Sequence, residues 1–257
     1  CEMDDILSIC DKYNLMLIED CCESMGARYK NKYVGSFGRV ASFSFYYSHH
    51  ITTLEGGICV TDDHDLSEMM RIKRAHGWVR QVENKDKWTT LYKDFDPKFL
   101  FVNDGYNLRI TEPQAAMGIL QIDKIDNFIK SRKENAKKYL SKFESFSDFF
   151  TFQKTSKDSE NSHFGFPLII KNNKYFNRNK ICSYLNKSGI ETRPIIAGNL
   201  ARQPANNLFE HRISGSLDNS DYIMDNGFSV GVHQSLSDDA INYVSDKVKD
   251  FIKDNVK

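Results

Sequence analysis

The chain has 257 residues, of which 40% are hydrophobic and 27% are charged, an ordinary composition for one large or two modest globular domains. It contains 35 Lys and Arg residues and 35 Asp and Glu residues, so its formal net charge is zero. This balance argues against a nucleic-acid partner, because nucleic-acid-binding domains are usually basic. No apolar run in the sequence is long enough to cross a bilayer, so we expect no membrane partner either.

The six cysteines do not form the pattern of a disulfide framework. No CxxC pair occurs, and Cys21 and Cys22 are direct neighbours. Such a pattern indicates the reducing cytoplasm. The chain opens at Cys1, inside a helical pattern and without an initiating methionine. We therefore expect a fragment that lacks the N-terminal part of a longer protein.

Helical and strand patterns alternate along the first half of the chain. Helices are predicted over 3–13, 63–75 and 111–123, and a second, charged helix follows to about residue 143. Strands are predicted over 15–20, 41–47 and 56–61, a short hairpin over 26–38, and a long loop over 77–105. The apolar strand at 15–20 follows a helix, so we expect a buried parallel strand. Thr111 and Gln114 have the spacing of a capping box, with Pro113 in the first turn of the helix.

From about residue 145 the pattern changes to that of a separate small α/β unit. Its predicted elements are a strand at 163–170, a helix at 176–187, a strand at 190–196 and a final helix at 237–253. We place the domain boundary between residues 125 and 126. Alternating strands and helices predict an α/β fold with a mainly parallel sheet, in which ligands bind beyond the carboxyl ends of the strands.

Polar residues follow two of the predicted strands, at the edge where a ligand would bind. Asp20 ends the first strand; its carboxylate can merely accept hydrogen bonds from nearby backbone, or it can hold a pyridinium N–H in a half-buried cleft. His49 and His50 follow the aromatic strand and can be exposed residues, a fortuitous metal site or a general base. The Ser44 hydroxyl and the glycines within 55–57 suit a phosphate. The residues alone leave these alternatives open.

Three long sequence blocks together resemble one family. They are EDCCESMG (19–26), FSFYYSHHITTLEGG (43–57) and GYNLRITEPQAAMGILQ (105–121). The DegT/DnrJ/StrS sugar aminotransferase family reads ED-x-A-x-x-x-G, then FSFY-x-x-K, then TT-x-EGG. The resemblance covers essentially the whole chain. It implies the aspartate-aminotransferase-like fold, which is fold type I of the pyridoxal-phosphate-dependent transferases, with residues 1–125 as the C-terminal portion of the large cofactor-binding domain and 126–257 as the small C-terminal domain.

One departure from the family pattern bears directly on the chemistry. The cofactor-binding lysine of the family lies five residues after the strand serine, and here that position is His49. A lysine forms a Schiff base with pyridoxal phosphate, and an imidazole cannot form that stable imine. The resemblance therefore implies that pyridoxamine 5'-phosphate or pyridoxal 5'-phosphate is held non-covalently.

The family has a branch with this histidine, the sugar 3-dehydratases of deoxysugar and O-antigen biosynthesis. Similarity to that branch implies removal of the carbon-3 hydroxyl from a nucleotide-linked 4-keto-6-deoxyhexose, GDP-linked, with L-glutamate re-aminating the cofactor. A CDP-sugar subgroup uses an iron–sulfur cluster, but the expected Cys-x-Cys ligands are absent here, so we expect no metal. A sugar aminotransferase that tolerates histidine, the CDP-linked enzyme and a catalytically silent homologue remain as alternatives.

The resemblance also implies roles for single residues around the cofactor. Asp20 would pair with the pyridine nitrogen, and Glu23 would face the cofactor ring or the sugar. Ser44 would contact the cofactor phosphate, and His49 would be the acid and base of the reaction. Asn107 would reach the cofactor phosphate of a partner subunit, which implies a homodimer with shared active sites.

Two residues of the predicted loop, His76 and Arg80, are candidates for contact with the sugar or with glutamate. A position in a solvated loop explains these two residues equally well. His50 has no role in the implied chemistry, and we expect a structural one.

Overall fold

The computed structural model describes residues 1–256. Its helices are α1 (Met3–Tyr13), α2 (His64–Lys73), α3 (Lys85–Leu91), α4 (Glu112–Ile122), α5 (Ile125–Phe143), α6 (Arg178–Lys187), α7 (Asp218–Asn226) and α8 (Asp238–Asn255). Its strands are β1 (Ile18–Asp20), β2 (Arg28–Tyr29), β3 (Lys32–Tyr33), β4 (Val40–Ser44), β5 (Gly57–Val60), β6 (Phe150–Phe152), β7 (Ser159–Glu160), β8 (Phe166–Ile170), β9 (Arg193–Pro194) and β10 (Gly227–Val230). In residues 1–256 no helix is both long and apolar enough to cross a membrane.

The chain divides into two compact units. Unit 1 comprises Cys1–Ile125 together with Ser156–Glu160, and unit 2 comprises Asp126–Thr155 and the chain from Asn161 onward. The short return of residues 156–160 to unit 1 has a local cause, because β7 pairs antiparallel with β2 of the predicted hairpin.

The central sheet of unit 1 has the order β1-β4-β5. β1 is parallel to β4, and β4 is antiparallel to β5. We expected a mainly parallel sheet. Of the two strand pairs in this sheet, the β1–β4 pair is parallel. The register sets Asp20 opposite Ser42, and Ser42 opposite Cys59. Paired residues direct their side chains to the same face of a sheet, so these three side chains share one face.

The expectation that β1 is buried is wrong for its apolar residues. Ile18 is 69% exposed, whereas the charged Glu19 is buried. Its carboxylate accepts hydrogen bonds from the backbone N–H groups of Gly35, Phe37 and Gly38, at 2.6–2.7 Å. These charge-assisted bonds, which no hydrophobic pattern reveals, fix the 35–38 turn against β1.

The segment predicted as a long loop contains more structure than expected. It holds a turn of 3-10 helix at Val79–Gln81 and the helix α3. Ile72, Val79 and Leu100 form a small buried core there. The segment shows no helical hydrophobic period, because its buried apolar residues contact residues distant in sequence and do not form the apolar face of one helix.

The remaining predicted elements of unit 1 are confirmed, including the start of α4. The Thr111 backbone N–H donates to Gln114 Oε1 at 3.0 Å, as the capping-box spacing predicts, and a proline lies in the first turn.

Unit 2 is built on an antiparallel sheet of order β6-β8-β10-β9. Its core is rich in aromatic residues, among them Tyr139, Phe143, Phe228 and Phe251, all buried. The predicted strand at 163–170 and the helices at 176–187 and 237–253 are confirmed. The predicted strand at 190–196 is reduced to the two residues of β9, and the elements that the sequence did not predict include β6, α7 and β10.

Candidate active site

Asp20 lies at the carboxyl end of β1, where its environment favours the ionised state. The backbone N–H of Cys22 donates to Asp20 Oδ1 at 3.1 Å. The Cys22 thiol and then this N–H hold the pKa of Asp20 below its usual value, with smaller contributions from the Ser42 hydroxyl and the charge of His49. The sequence left open whether Asp20 lies in a half-buried cleft, and in this chain its side chain is exposed. The carboxylate is nevertheless negatively charged at neutral pH, as pairing with a protonated ring nitrogen requires.

His49 is fixed by a hydrogen bond that also sets its tautomer. Its Nδ1 atom lies 2.6 Å from the carbonyl oxygen of Cys22. A carbonyl oxygen can only accept a hydrogen bond, so Nδ1 carries the proton. In the neutral ring, Nε2 is then the basic nitrogen. The Tyr46 ring meets the imidazole edge-on, with centroids 6.2 Å apart, and restricts its rotation further.

Cys22 joins the two candidate catalytic groups through its backbone. Its N–H holds Asp20 and its carbonyl holds His49. Its Sγ atom lies 3.8 Å from Ser42 Oγ. Burial raises the pKa of the Cys22 thiol, and its bond to Asp20 raises it further, so the group is a neutral thiol at physiological pH and a poor nucleophile. Neither Cys22 nor Ser42 was singled out from the sequence. One sequence signal could have drawn attention to Cys22: it stands where the family pattern has an alanine, two residues after Asp20.

Glu23 shares the electrostatic environment of Asp20 and His49. Desolvation raises the pKa of the Glu23 carboxyl, the negative charge of Asp20 raises it further, and the charge of His49 opposes both. These mutual effects place Glu23 in one electrostatic cluster with the other two groups.

Ser44 ends β4 opposite Gly57 and accepts a hydrogen bond from the Tyr46 N–H at 3.2 Å. The loop leading back to β5 is tight. Gly56 has a φ of 149°, and a Cβ atom there would lie 2.5 Å from Thr53 Oγ1. Only glycine fits at position 56, so the backbone there approaches the Thr53 hydroxyl closely. Hydroxyl groups and accessible backbone N–H groups are what a phosphate site needs.

His50 is only 1% exposed, in agreement with a structural role. A metal site at the His49–His50 pair would need further ligands, and residues 1–256 contain no group of three or more His, Cys, Asp or Glu side chains arranged to hold a metal ion.

The other three predicted site residues belong to a second cluster. Arg80 lines a pocket of about 120 Å³ together with Ala75, Trp78, Gln81 and Arg109. His76 Nε2 lies 3.5 Å from an Arg109 nitrogen. Asn107 is exposed, and its backbone pairs with Ala75. The structure thus places Asp20 and Ser44 at the ends of β1 and β4, with Glu23 and His49 in the electrostatic surroundings of Asp20. His76, Arg80 and Asn107 lie along the segments 75–80 and 107–109. Arg109 was not singled out from the sequence.

Comparison with known proteins identifies the family. Residues 1–249 match the DegT/DnrJ/EryC1/StrS aminotransferase family. The chain is 40% identical over 249 residues to GDP-4-keto-6-deoxy-D-mannose 3-dehydratase of Escherichia coli, covering 96% of this chain and 63% of that protein. It is 32% identical to dTDP-4-dehydro-2,6-dideoxy-D-glucose 3-dehydratase of Saccharopolyspora spinosa, covering 97% and 56%. The chain therefore belongs to this family, as its motifs predicted.

Solved structures define the fold. A histidine-to-asparagine mutant of GDP-4-keto-6-deoxymannose-3-dehydratase with bound GDP-perosamine matches with a TM-score of 0.89 and 38% identity, covering 96% of this chain and 64% of that one. The same enzyme with a trapped PLP-glutamate geminal diamine matches with a TM-score of 0.84 and 36% identity, again covering 96% and 64%. The predicted fold type I of the pyridoxal-phosphate-dependent transferases is confirmed. The chain spans less than two thirds of the length of these relatives.

Proposed function

We propose that this chain carries the acid–base site of a nucleotide-sugar 3-dehydratase that uses pyridoxamine 5'-phosphate. The observation that carries this proposal is the Cys22 carbonyl bond, which holds His49 as a base beside the ionised Asp20. A histidine takes the position of the Schiff-base lysine, and the relatives named 3-dehydratases support the same reaction.

The residues of the site fit the cofactor. The ionised Asp20 carboxylate would pair with the ring N–H, and Ser44 and the loop at Gly56 would receive the phosphate. When bound, the cofactor supplies an amine for the sugar carbonyl and a ring that delocalises an electron pair. Because His49 forms no stable imine, the cofactor is held non-covalently in either its pyridoxamine or its pyridoxal form.

The remaining chemistry belongs to His49. Its Nε2 atom, the basic nitrogen of the neutral ring, accepts a proton and so becomes part of an imidazolium. The imidazolium then donates that proton to the hydroxyl on sugar carbon 3, which leaves as water. Glu23 would face the cofactor ring or the sugar, in the same electrostatic cluster as Asp20 and His49.

We further propose the substrates and setting of the reaction. The substrate is a GDP-linked 4-keto-6-deoxyhexose, and L-glutamate restores the amine of the cofactor. The relatives with GDP-sugar names and the trapped PLP-glutamate adduct support both assignments. Unit 1 is the cofactor-binding part and unit 2 the small domain. The enzyme acts in the cytoplasm, in agreement with its six free cysteines, as a homodimer in which Asn107 completes the partner's site.

The test is mass analysis of the products. Protein loaded with pyridoxamine phosphate is mixed with L-glutamate and GDP-4-keto-6-deoxymannose, and the sugar is expected to lose its carbon-3 oxygen. His49→Asn is expected to lower this rate by about 10² to 10⁴, the usual contribution of a general base. The matched control is His64→Asn, because exposed His64 contacts Glu83 at the surface and its loss leaves the site intact.

Each alternative predicts a different product. Gain of an amino group identifies a sugar aminotransferase, and an unchanged sugar identifies a silent homologue. Dehydration that depends on iron and acid-labile sulfide identifies the CDP-sugar type of enzyme. If His49→Asn dehydrates the sugar at the parental rate, His49 is not the base.

A further inference from the structure

A pocket of unit 2 is lined by basic and neutral side chains. It lies between α5, the segment that follows β6 and the start of β8, and its volume is about 190 Å³. Lys133 and Lys137 line it from one face of α5, and His163 lines it from the segment before β8. None of the described residues that line this pocket is acidic. The two lysines are one helical turn apart, where like charges repel each other, so the pocket concentrates positive charge.

A third positive charge lies behind His163, in the interior of unit 2. The Arg132 side chain is buried, and its guanidinium donates to the carbonyl oxygens of His163 and Phe164 at 3.2 and 3.3 Å and to Gln234 at 2.9 Å. These acceptors are all neutral, and no ion pair to Arg132 occurs in the part of the chain that the structure describes. Burial lowers the pKa of Arg132 to about 10, so the group stays protonated at neutral pH. A buried charge without a counter-ion is costly, and an anion in the adjacent pocket would offset that cost.

His163 is held in a strained backbone conformation at this pocket. Its φ is 54°, in the left-handed region that few residues other than glycine adopt. Its N–H donates to Asn161 Oδ1 at 2.8 Å, and its carbonyl is held by Arg132. Its Nδ1 atom is buried and has no hydrogen-bond partner within residues 1–256. Backbone strain is concentrated at functional sites, and an unpaired buried polar atom calls for a further partner, so both features indicate a ligand.

We propose that this pocket binds the phosphate group of a small phosphorylated molecule. A phosphate dianion carries three oxygens in a tetrahedral arrangement, which suits donors that converge from two elements, namely Lys133 and Lys137 on α5 and His163 before β8. A carboxylate carries a single charge on two coplanar oxygens and matches this set less well. The Thr155 hydroxyl and the Gln153 amide line the same pocket and add neutral donors. The site lies within unit 2 and does not rest on the proposed function.

The rest of the pocket wall determines what the phosphate is attached to. It is apolar and consists of Ala136, Leu140, Phe166 and Pro167. A bare phosphate ion would leave this wall uncovered, whereas an apolar group attached to the phosphate would remove it from water. Sites for drug-sized ligands begin at roughly 300 Å³, so this pocket takes a smaller body, about one ring in size. We therefore infer a phosphomonoester with a compact apolar body.

The test is isothermal titration of the protein with inorganic phosphate, phenyl phosphate and benzoate separately. The protein is first saturated with pyridoxamine 5'-phosphate, so that the phosphate site of the proposed cofactor is occupied. Phenyl phosphate is expected to bind with the lowest Kd, because it meets both the basic and the apolar wall. Inorganic phosphate lacks the ring and benzoate lacks the dianion, so both are expected to bind more weakly.

Two variants locate the binding site. His163→Asn removes the imidazole but keeps a residue that tolerates a positive φ, and it is expected to raise the Kd of phenyl phosphate roughly tenfold, the effect of losing a charge-assisted bond. Lys137→Gln changes an exposed residue without threatening the fold, and it is expected to raise this Kd roughly two- to fivefold. The matched control is Lys142→Gln, the same change at an exposed lysine of α5 that does not line the pocket. It is expected to leave the Kd unchanged.

The outcomes decide the proposal independently of the dehydration assay. One saturable site that weakens in both variants and not in the control supports it, and if His163→Asn does not fold, Lys137→Gln decides alone. No binding of phenyl phosphate, or binding that these variants leave unchanged, overturns it, because the phosphate then binds elsewhere. An equal loss in Lys142→Gln shows non-specific attraction to the helix and also overturns it. Benzoate binding as tightly as phenyl phosphate overturns the assignment to phosphate.

Discussion

The chemistry of His49 depends on which ring nitrogen carries the proton. The 2.6 Å contact between Nδ1 and the Cys22 carbonyl requires the Nδ1–H form. We predict that heteronuclear NMR of imidazole-labelled protein, through its long-range nitrogen–proton correlations, finds His49 as the Nδ1–H tautomer at a pH where the ring is neutral. The exposed His64, whose Nε2 atom lies 3.6 Å from a carboxylate oxygen of Glu83, serves as the comparison.

The opposite tautomer would contradict the geometry around His49. If Nε2–H predominates, the Cys22 carbonyl does not hold the ring, and His49 presents a proton where the reaction needs a base. The same measurement on Cys22→Ala is expected to show an unchanged tautomer, because the bond comes from the backbone and not from the thiol.

At the scale of elements, the start of α7 is tied to the preceding loop by one carboxylate. Asp221 accepts two hydrogen bonds from Arg202 at 2.7 and 3.0 Å and one from Asn199 at 2.8 Å. Arg202 first, and then Asn199, lower the pKa of Asp221 to about 2. In the unfolded chain an aspartate titrates near 3.9, so the carboxylate stabilises the fold above about pH 4 and loses this effect as the pH falls toward 2.

We therefore predict that Asp221→Asn lowers the free energy of unfolding at neutral pH. The difference from the parent protein is expected to shrink as the pH is lowered from about 4 to about 2, because protonation of Asp221 removes most of the charge effect over this range. Chemical denaturation at a series of pH values measures it. Asp218→Asn, in the same helix, is the control, because no ion pair to Asp218 is present in the described chain. If the difference in the free energy of unfolding is as large at pH 2 as at neutral pH, the packing of Asp221 and not its charge stabilises the fold.

At the scale of the whole molecule, unit 1 leaves much apolar surface exposed. No residue of α4 is buried, and Ile119, Leu120 and Ile122 are each at least half exposed. Exposed apolar surface of this extent marks an interaction site. Asn107 is exposed a few residues before this helix. Both features favour the proposed dimer in which Asn107 acts in the partner's active site.

Subunit mixing tests that arrangement. His49→Asn and Asn107→Ala are each expected to be nearly inactive alone. After joint unfolding and refolding, a mixed dimer of a shared-site enzyme contains one intact site, so an equal mixture is expected to regain roughly a quarter of the parental activity. The control mixes each variant with itself, which restores nothing. If the mixture of the two different variants is also inactive, Asn107 acts in the active site of its own subunit.

The order of most elements and the positions of the key motifs can be assigned from the sequence alone. Hydrophobic period and capping residues are local signals, so α1, β4, α4 and α5 could be read from them. The replacement of the family lysine by His49 can also be recognised locally, because the motifs on either side fix the number of residues between them and this position. The family and its fold followed from these ordered blocks.

The contacts of these residues are known only from the folded structure. The exposure of Asp20, the inward turn of Glu19 and the two backbone bonds of Cys22 depend on pairing between strands that the sequence does not specify in detail. Arg80 and Arg109 share a pocket because antiparallel bridges join two distant segments. Such contacts arise from hydrogen bonds and packing across the chain, which leave no period in the sequence, and so the charge environment of each site could be assigned only from the folded molecule.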